Sequence, residues 1–435
     1  MFRTIFQRRI LQWLGPLVTV GIMAFAAAAI VIVGGLSNPK DSTPYPQYLA
    51  HLIHYTFSRV STHVSREDPP PADLYDPSRI VIGAGHFVQV FANCHGEPGL
   101  GQQPFAMAMT PRPPYLPADI HKIDDRQAFF TVKQGGKYAG LPNWPNEVRD
   151  DEVWEMVAFV RQLPHLNYAQ YRALAYGAED QVAGKLPQIP FGTTPAEHPY
   201  VMTNSKVPQD VTNFYNYPVS GPLHVAKYGN PPADCARRHD ADGRGRAEGR
   251  ILNLSTQNPE YIQRELVHFT SGTRKSGIMQ TAATQHSMQQ MAGVAKYYAA
   301  LGEAPALFTT SRPVDPALIA VGRGISEGVG VMGSICNYCR NLKREGAQVF
   351  PHLQGQDARY ALNQLRLFRY DGRIAPEVFN PMLKIAKGLS EHDMDAIAAY
   401  YAVQPPAANG IQAPGSQGYA GPRHATGPVL PMHRS

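Results

Sequence analysis

The stretch VFANCHGEPGLGQ (residues 90–102) places a cysteine and a histidine side by side, directly before a glycine-rich loop. Two later stretches repeat parts of this pattern: CARRHD begins at Cys235, and CNYCRN begins at Cys336. All four cysteines of the chain lie in these three clusters. This recurrence predicts that cysteine and histidine side chains do the same chemistry at three places along the chain.

Each cluster is one residue short of C-x-x-C-H, the motif to which haem is covalently attached. In that motif two sulfurs bond to the porphyrin and the histidine binds iron, opposite a distal ligand that is commonly methionine. Phe91, Arg238 and Arg340 replace the first cysteine, the second cysteine and the histidine, respectively. The retained residues are Cys94 with His95, Cys235 with His239, and Cys336 with Cys339. Arginine stays protonated and cannot bind iron, so the third cluster lacks a proximal ligand.

An amphipathic helix is predicted at the end of the unit that follows each cluster, at residues 150–163, 287–301 and 390–404. Apolar residues recur there at three and four positions, as at Val153, Met156, Val157 and Val160. Each helix should therefore bury one face. In the last of them, Ser390 and Asp393 form a predicted N-cap.

The second and third units are visible copies of each other. Residues 253–274 (NLSTQNPEYIQRELVHFTSGTR) align with residues 352–373 (HLQGQDARYALNQLRLFRYDGR). The repeating unit that contains them is about ninety residues long. A unit of that length is too long for a solenoid and indicates three tandem domains.

The amino-terminal segment predicts a membrane anchor. Residues 17–36 carry no charge, and about twenty apolar residues span the hydrocarbon core of a bilayer. Arg3, Arg8 and Arg9 precede this run, so the amino terminus should stay in the cytoplasm and the rest should be exported. A cleaved signal peptide is the alternative, but its apolar region would be shorter and no cleavage site is obvious.

Composition excludes several classes of protein. The chain has 435 residues, 17% of them charged, with 39 prolines and 38 glycines. These values predict two to four compact, turn-rich domains joined by extended linkers. The net charge of +6 is modest for this length and does not predict nucleic-acid binding.

The predicted organisation combines these observations. The segments are an anchor (1–37), a linker (38–77), a first domain (78–170), a linker (171–220), a second domain (221–303), a short linker (304–316), a third domain (317–404) and a disordered tail (405–435).

The motifs resemble those of the class I c-type cytochromes, in the form of a membrane-anchored protein with three modules. The similar stretches are CHGEPGLGQ, GLPNWPNEVRDDEVW, NLSTQNPEYI, HLQGQDARYALNQL and the paired tyrosines of the closing helices. The resemblance covers roughly residues 78–404 and implies an all-α fold, three tandem cytochrome c-like domains and haem edges near the surface.

The resemblance also implies the distal ligands. Met279 and Met382 lie about forty residues after their clusters, where the family has its distal methionine. At the corresponding position of the first unit stands Leu141, which cannot bind iron, and Tyr138 is the nearest potential ligand. We therefore expect covalent haem c at one or two of the three clusters.

Electron transfer, without catalysis, is the activity that the resemblance implies. We expect the chain to accept electrons from a dehydrogenase or a quinol-oxidising complex and to pass them to a soluble cytochrome or a terminal oxidase. The anchor would place it in the inner membrane of a bacterium, as a single-pass protein whose bulk faces the periplasm.

Other interpretations remain open at this stage. Three defective motifs and one missing methionine also fit a haem-poor cytochrome retained as a structural or assembly subunit. Cys336 and Cys339 could form a disulfide, which export would favour, whereas zinc would need four ligands and only His352 is near. An iron without a distal ligand in the first cluster would also suit a haem-based sensor of small ligands.

Overall fold

The protein is described here by a computed structural model that places residues 46–137, 139–177, 231–246, 249–302, 314–327, 350–374 and 381–406, together with residues 16, 18–26 and 30. In these residues the secondary structure is helical, with isolated bridges in place of sheets. The α-helices are α1 (Gln47–Val64), α2 (Pro77–His86), α3 (Ala92–His95), α4 (Pro104–Ala108), α5 (Leu116–Asp119), α6 (Asp125–Gln134), α7 (Asp150–Val160), α8 (Tyr168–Tyr176), α9 (Pro231–His239), α10 (Pro259–Thr270), α11 (Gly277–Ala283), α12 (Met288–Ala299), α13 (Pro316–Glu327), α14 (Ala358–Arg369), α15 (Met382–Gly388) and α16 (Glu391–Ala402). The predicted helical fold is confirmed.

Among the described residues, no helix combines the length and the apolar character needed to cross a membrane. Half of the predicted span at 17–36 lies outside those residues, as do the third cluster and nearly all of the predicted tail.

The first hydrophobic core forms where α2 crosses α7. Gly83 makes this crossing possible, because a Cβ atom there would collide with the backbone oxygen of Glu155. The predicted helix is confirmed, and the four apolar residues that define its predicted face are all buried: Val153, Met156, Val157 and Val160. Every other residue from Glu152 to Val160 is buried as well, so α7 is enclosed on all sides and the prediction of one buried face was wrong. Ile251 and Ile278, which come much later in the chain, belong to the same core.

A second crossing repeats this geometry near the carboxyl end. A Cβ atom on Gly322 of α13 would collide with the backbone oxygen of Ala396 in α16. The next contact falls four residues further along each partner helix, at Phe159 in the first crossing and at Tyr400 in the second. The predicted N-cap of α16 is also present, since Ser390 and Asp393 each bind the other's backbone amide.

The two copied segments face each other. Arg274 and Arg373 form an isolated antiparallel bridge, and Lys275 N donates to Gly372 O at 2.9 Å while Ile374 N donates to Thr273 O at 2.9 Å. Because equivalent positions meet, the two copied segments are related by an approximate two-fold axis.

Glu265 lies in the centre of this contact and binds Arg274 Nη1 at 2.7 Å and Arg373 Nη2 at 2.8 Å. The hydroxyl of Tyr360 accepts from Arg274 at 2.9 Å, and that of Tyr261 accepts from Arg373 at 2.8 Å. Burial alone would raise the pKa of Glu265, but the two arginines outweigh it and lower the pKa to about 2. Because two arginines pair with it, the buried carboxylate of Glu265 can stay charged at this interface.

Two helices lie where the sequence predicts linkers. The 18-residue helix α1 and a 3₁₀ turn at Ser65–Glu67 fall within 38–77, between two proline-rich stretches that mask the helical segment in the sequence. Helix α8 runs past the predicted boundary at residue 170, and its Tyr171 is fully buried in the first core.

Candidate functional site

Cys94 and His95 end the short helix α3, which continues from a π-helical turn at Phe87–Phe91. Gly96 terminates it with φ +77°, and a Cβ atom there would lie 2.5 Å from Gly101 O. Glu97 N donates to Gly101 O at 3.1 Å and closes the glycine-rich loop. The loop therefore turns back beneath the cysteine and the histidine.

The ring of His95 is held by a backbone carbonyl: its Nδ1 lies 2.9 Å from Pro114 O. A carbonyl only accepts, so Nδ1 carries the proton and the lone pair of Nε2 is left for a metal. Burial lowers the pKa of His95, which favours this neutral, ligating form. In metal-binding histidines generally, the ring nitrogen that does not bind the metal makes such a hydrogen bond, and this bond orients the ring.

The side chain of Gln102 links the first cluster to the segment that holds the ring of His95. Its Nε2 donates to Cys94 O at 2.9 Å and to Pro113 O at 3.0 Å, and its Oε1 accepts from Arg112 Nη2 at 2.7 Å. It thereby ties the cluster to the segment that holds the histidine ring.

His239 repeats the geometry of His95 at the end of α9. Its Nδ1 lies 2.9 Å from Leu252 O, so its Nε2 is likewise left as an acceptor. Burial lowers the pKa of His239 to about 4, with smaller contributions from Arg238 and Arg274, and keeps the ring neutral.

Asp240 follows His239 where the first cluster has Gly96. It adopts φ +64°, close to the +77° of Gly96, and its carboxylate accepts from Ala241 N at 2.7 Å. Asp is among the few residues that tolerate this region through local hydrogen bonds. The chain thus makes the same turn after both histidines.

The residues that replace cysteines are built into the packing. The ring of Phe91 stacks on Phe87 (centroids 6.3 Å apart) and on His95 (6.2 Å). Arg238 is buried between α9 and α2, where its Nη2 donates to Gln89 Oε1 at 3.0 Å. Both side chains therefore occupy the positions where the motif has cysteines and contact their neighbours there.

Cys94 and Cys235 are both thiols and are not part of a disulfide bond. Burial raises the pKa of the Cys94 thiol, the opposite of the shift that activates a catalytic nucleophile. Cys235 packs against a second hydrophobic core, which includes Leu254, Ile262 and Tyr298.

The methionines have different surroundings. Met279 is half-buried in α11, whose amino end is capped by Glu152 of α7 through Gly277 N at 2.6 Å. Met382 packs against a hydrophobic core near the carboxyl end that includes Ile385 and Met394. Ligation by either methionine stays a prediction.

Leu141 lies in the turn that closes after α6, where its oxygen accepts from Gly136 N at 2.9 Å. Tyr138 and the cluster at Cys336, Cys339 and Arg340 lie outside the described residues.

The carbonyl partners of the two histidines and the capping carboxylate of Glu152 were not predicted from the sequence. A backbone oxygen can belong to any residue type, so Pro114 and Leu252 give no signal. Gln102 stands within the motif GLGQ, but its role depends on the fold of the loop.

The donors present fit a covalently attached haem in both described clusters. Each offers one cysteine and, next to it or four residues later, a neutral histidine whose Nε2 is left unprotonated by the hydrogen bond at Nδ1.

Comparison with known proteins identifies relatives of the chain. No protein-family model matches the chain. The thiosulfate dehydrogenase electron acceptor of Stutzerimonas stutzeri is 32% identical over 186 residues, which cover 40% of this chain and 80% of that protein. Cytochrome c4 of Pseudomonas aeruginosa is 30% identical over 172 residues, covering 39% and 82%, respectively. The crystal structure of reduced cytochrome c4 from Pseudomonas stutzeri superposes on 40% of this chain and 96% of its own, at 23% identity and a TM-score of 0.34.

Proposed function

This chain belongs to the same family as cytochrome c4, within the class I c-type cytochromes, and we propose that it carries single electrons between redox proteins. One observation supports this most strongly: two histidines, far apart in sequence, each hold Nδ1 against a backbone carbonyl, which leaves Nε2 as the acceptor, and each follows a cysteine by one or four residues. Haem c, when bound, supplies one-electron chemistry at its iron. The role of the chain is to hold and orient that group.

His95 and His239 would be the proximal ligands, and Cys94 and Cys235 would each form one thioether bond. The carbonyls of Pro114 and Leu252 keep both rings neutral and fix their orientation. Met279 would complete the second site. The first site has Leu141 at the distal position, so its iron would have an open position or bind water.

We further propose that the chain is anchored by residues 17–36 in the inner membrane of a bacterium, with its bulk in the periplasm and three tandem cytochrome c-like domains. Electrons would come from a dehydrogenase or a quinol-oxidising complex and pass to a soluble cytochrome or a terminal oxidase. One or two of the three clusters would hold haem, because the third has no histidine.

The test is a pyridine haemochrome spectrum of the full chain, exported by a host with a cytochrome c maturation system. We expect one or two haems per chain, with the red-shifted band of attachment through one thioether. The variants His95→Ala and His239→Ala should each change the spectrum of one haem without affecting the other. A colourless, folded wild-type protein would disprove the proposal.

A haem-poor structural subunit is the second candidate. The observation that favours it is the packing of Phe91 and Arg238, which occupy the positions of the missing cysteines: Phe91 stacks on Phe87, and Arg238 donates to Gln89. In that case the protein from the same host would be folded, colourless and as stable as the protein made without the maturation system.

A further inference from the structure

Helix α1 packs little of its apolar surface against the protein. Among its described residues it buries Ser61 (3% exposed), and Ser65 is buried in the turn that follows. Thr62 accepts from Gln127 Nε2 at 2.7 Å on the same side. Its large apolar side chains are exposed instead, including Leu52 (59%) and Tyr55 (63%). A surface helix ordinarily packs its apolar stripe against the core.

The exposed apolar residues form two stripes along the helix. Spacings of three and four put residues on one face of a helix. Tyr48, Leu52, Tyr55 and Arg59 follow this spacing and form one stripe. Ile53, Val60 and Val64 belong to a second stripe, which is separated from the first by Leu49, Thr56 and His63. Phe57 lies at the edge of the second stripe and contacts Phe130 (ring centroids 6.3 Å apart). We call these two stripes the apolar face of α1.

Charge and composition indicate what covers this face. No acidic residue lies between positions 42 and 66, whereas Arg59 and Arg66 are basic and three histidines are interspersed. Exposed apolar and aromatic side chains with basic residues and no acidic ones are typical of helices that lie in the surface of an anionic bilayer. Tyrosine is enriched at this depth of the membrane.

The position of α1 in the chain brings it to such a surface. Only residues 37–46 separate it from the predicted membrane span at 17–36, and ten residues reach at most about 35 Å when fully extended. A helix of 18 residues is about 27 Å long, so much of α1 can contact the bilayer.

We propose that the apolar face of α1 lies in the headgroup region of the periplasmic bilayer surface and binds anionic phospholipid. This proposal rests on the membrane anchoring proposed above. It fixes the orientation of the protein: α6, against which α1 and its following turn pack, stands next to the membrane.

The test uses the full, haem-loaded chain in liposomes of phosphatidylethanolamine and phosphatidylglycerol. Tryptophan is introduced at the apolar face by Leu52→Trp and, as the matched control, on the opposite side by His54→Trp. Both positions are exposed, and neither belongs to a hydrophobic core. Quenching by brominated lipid is measured for each, after subtraction of the wild-type signal from its three tryptophans.

We expect at least about twofold stronger quenching for Leu52→Trp than for His54→Trp, and a weaker difference when phosphatidylglycerol is replaced by phosphatidylcholine. Equal quenching of the two variants would overturn the proposal. So would a Leu52→Trp emission that is shielded from aqueous acrylamide but insensitive to brominated lipid, because a protein would then cover the face. If that shielding rises with the protein-to-lipid ratio, the partner is a second copy of the chain.

Haem content and carbonate-resistant membrane retention are measured on the same samples. Loss of either would refute the proposed function or its anchoring, whereas retention of both with equal quenching refutes the role of α1 alone.

Discussion

Asn253 and Gln356 bind each other reciprocally: Asn253 N donates to Gln356 Oε1 at 3.0 Å, and Gln356 Nε2 donates to Asn253 O at 2.9 Å. Gln257 and His352 make the mirror-image pair, with Gln257 Nε2 donating to His352 O at 2.8 Å and His352 N donating to Gln257 Oε1 at 3.0 Å. The two glutamines occupy equivalent positions in the copied segments. The repeat in the sequence has therefore become an approximate two-fold interface.

Removal of either glutamine should weaken this interface by a similar amount. Gln257→Ala and Gln356→Ala each leave a buried backbone amide and carbonyl unpaired, which costs about 1–3 kcal/mol. Denaturant unfolding should show both losses, with the exposed Gln289→Ala as the control that changes little. In the double variant the losses should be non-additive if the two pairs form one unit. A large loss from one variant only would contradict the symmetry.

The charge of Glu265 should make stability depend on pH. Its pKa of about 2 lies below the ordinary value of 4.5, so the ionised form stabilises the fold above pH 4.5 and this stabilisation is lost as the pH falls toward 2. The difference amounts to about 3 kcal/mol. We expect Glu265→Gln, which copies the Gln364 of the third unit, to be less stable than wild type at pH 7 and nearly equal at pH 2. A gap independent of pH would exclude this role of the charge.

Two glycines of α13 should respond oppositely to alanine. Gly322→Ala forces a Cβ atom into the backbone of α16 and should destabilise the protein by about 2 kcal/mol or more. Gly324, two residues later, has nothing within 4 Å of its Cβ position, so Gly324→Ala should be neutral or stabilising by up to about 1 kcal/mol. Thermal unfolding of the two variants measures the contrast. Equal effects would show that the crossing is loose.

Restoring the first motif should change how haem is attached. Phe91→Cys completes C-x-x-C-H, so a second thioether should form and the haemochrome band should move to the shorter wavelength of a doubly attached haem. Phe91→Ala removes the same stacked ring without supplying sulfur, and its band should stay at the wild-type position. If both variants shift the band equally, packing and not the bond is responsible.

The sequence predicted the helical fold and the positions of the closing helices, because each depends on local spacing. It did not predict that α7 is buried on every side, because the segments that enclose it come from distant parts of the chain. It also did not predict the carbonyl partners of His95 and His239, since Pro114 and Leu252 act through backbone atoms that every residue carries. Helix α1 was missed because proline-rich stretches flank it on both sides. Ligation of iron by the two histidines stays a prediction.

The replacement of a cysteine by Arg238 has made the second motif hard to reverse. Its guanidinium binds Gln89, and its side chain fills the space beside Gly85, where even one methyl group would come within 3.2 Å of Arg238 Cγ. A cysteine at this position would regain a haem bond but would leave a hole and an unpaired amide where α9 meets α2. A single mutation to cysteine would thus combine a lost packing contact with a gained haem bond. Recovery of the motif would require matching changes at Gly85 and Gln89, which face Arg238.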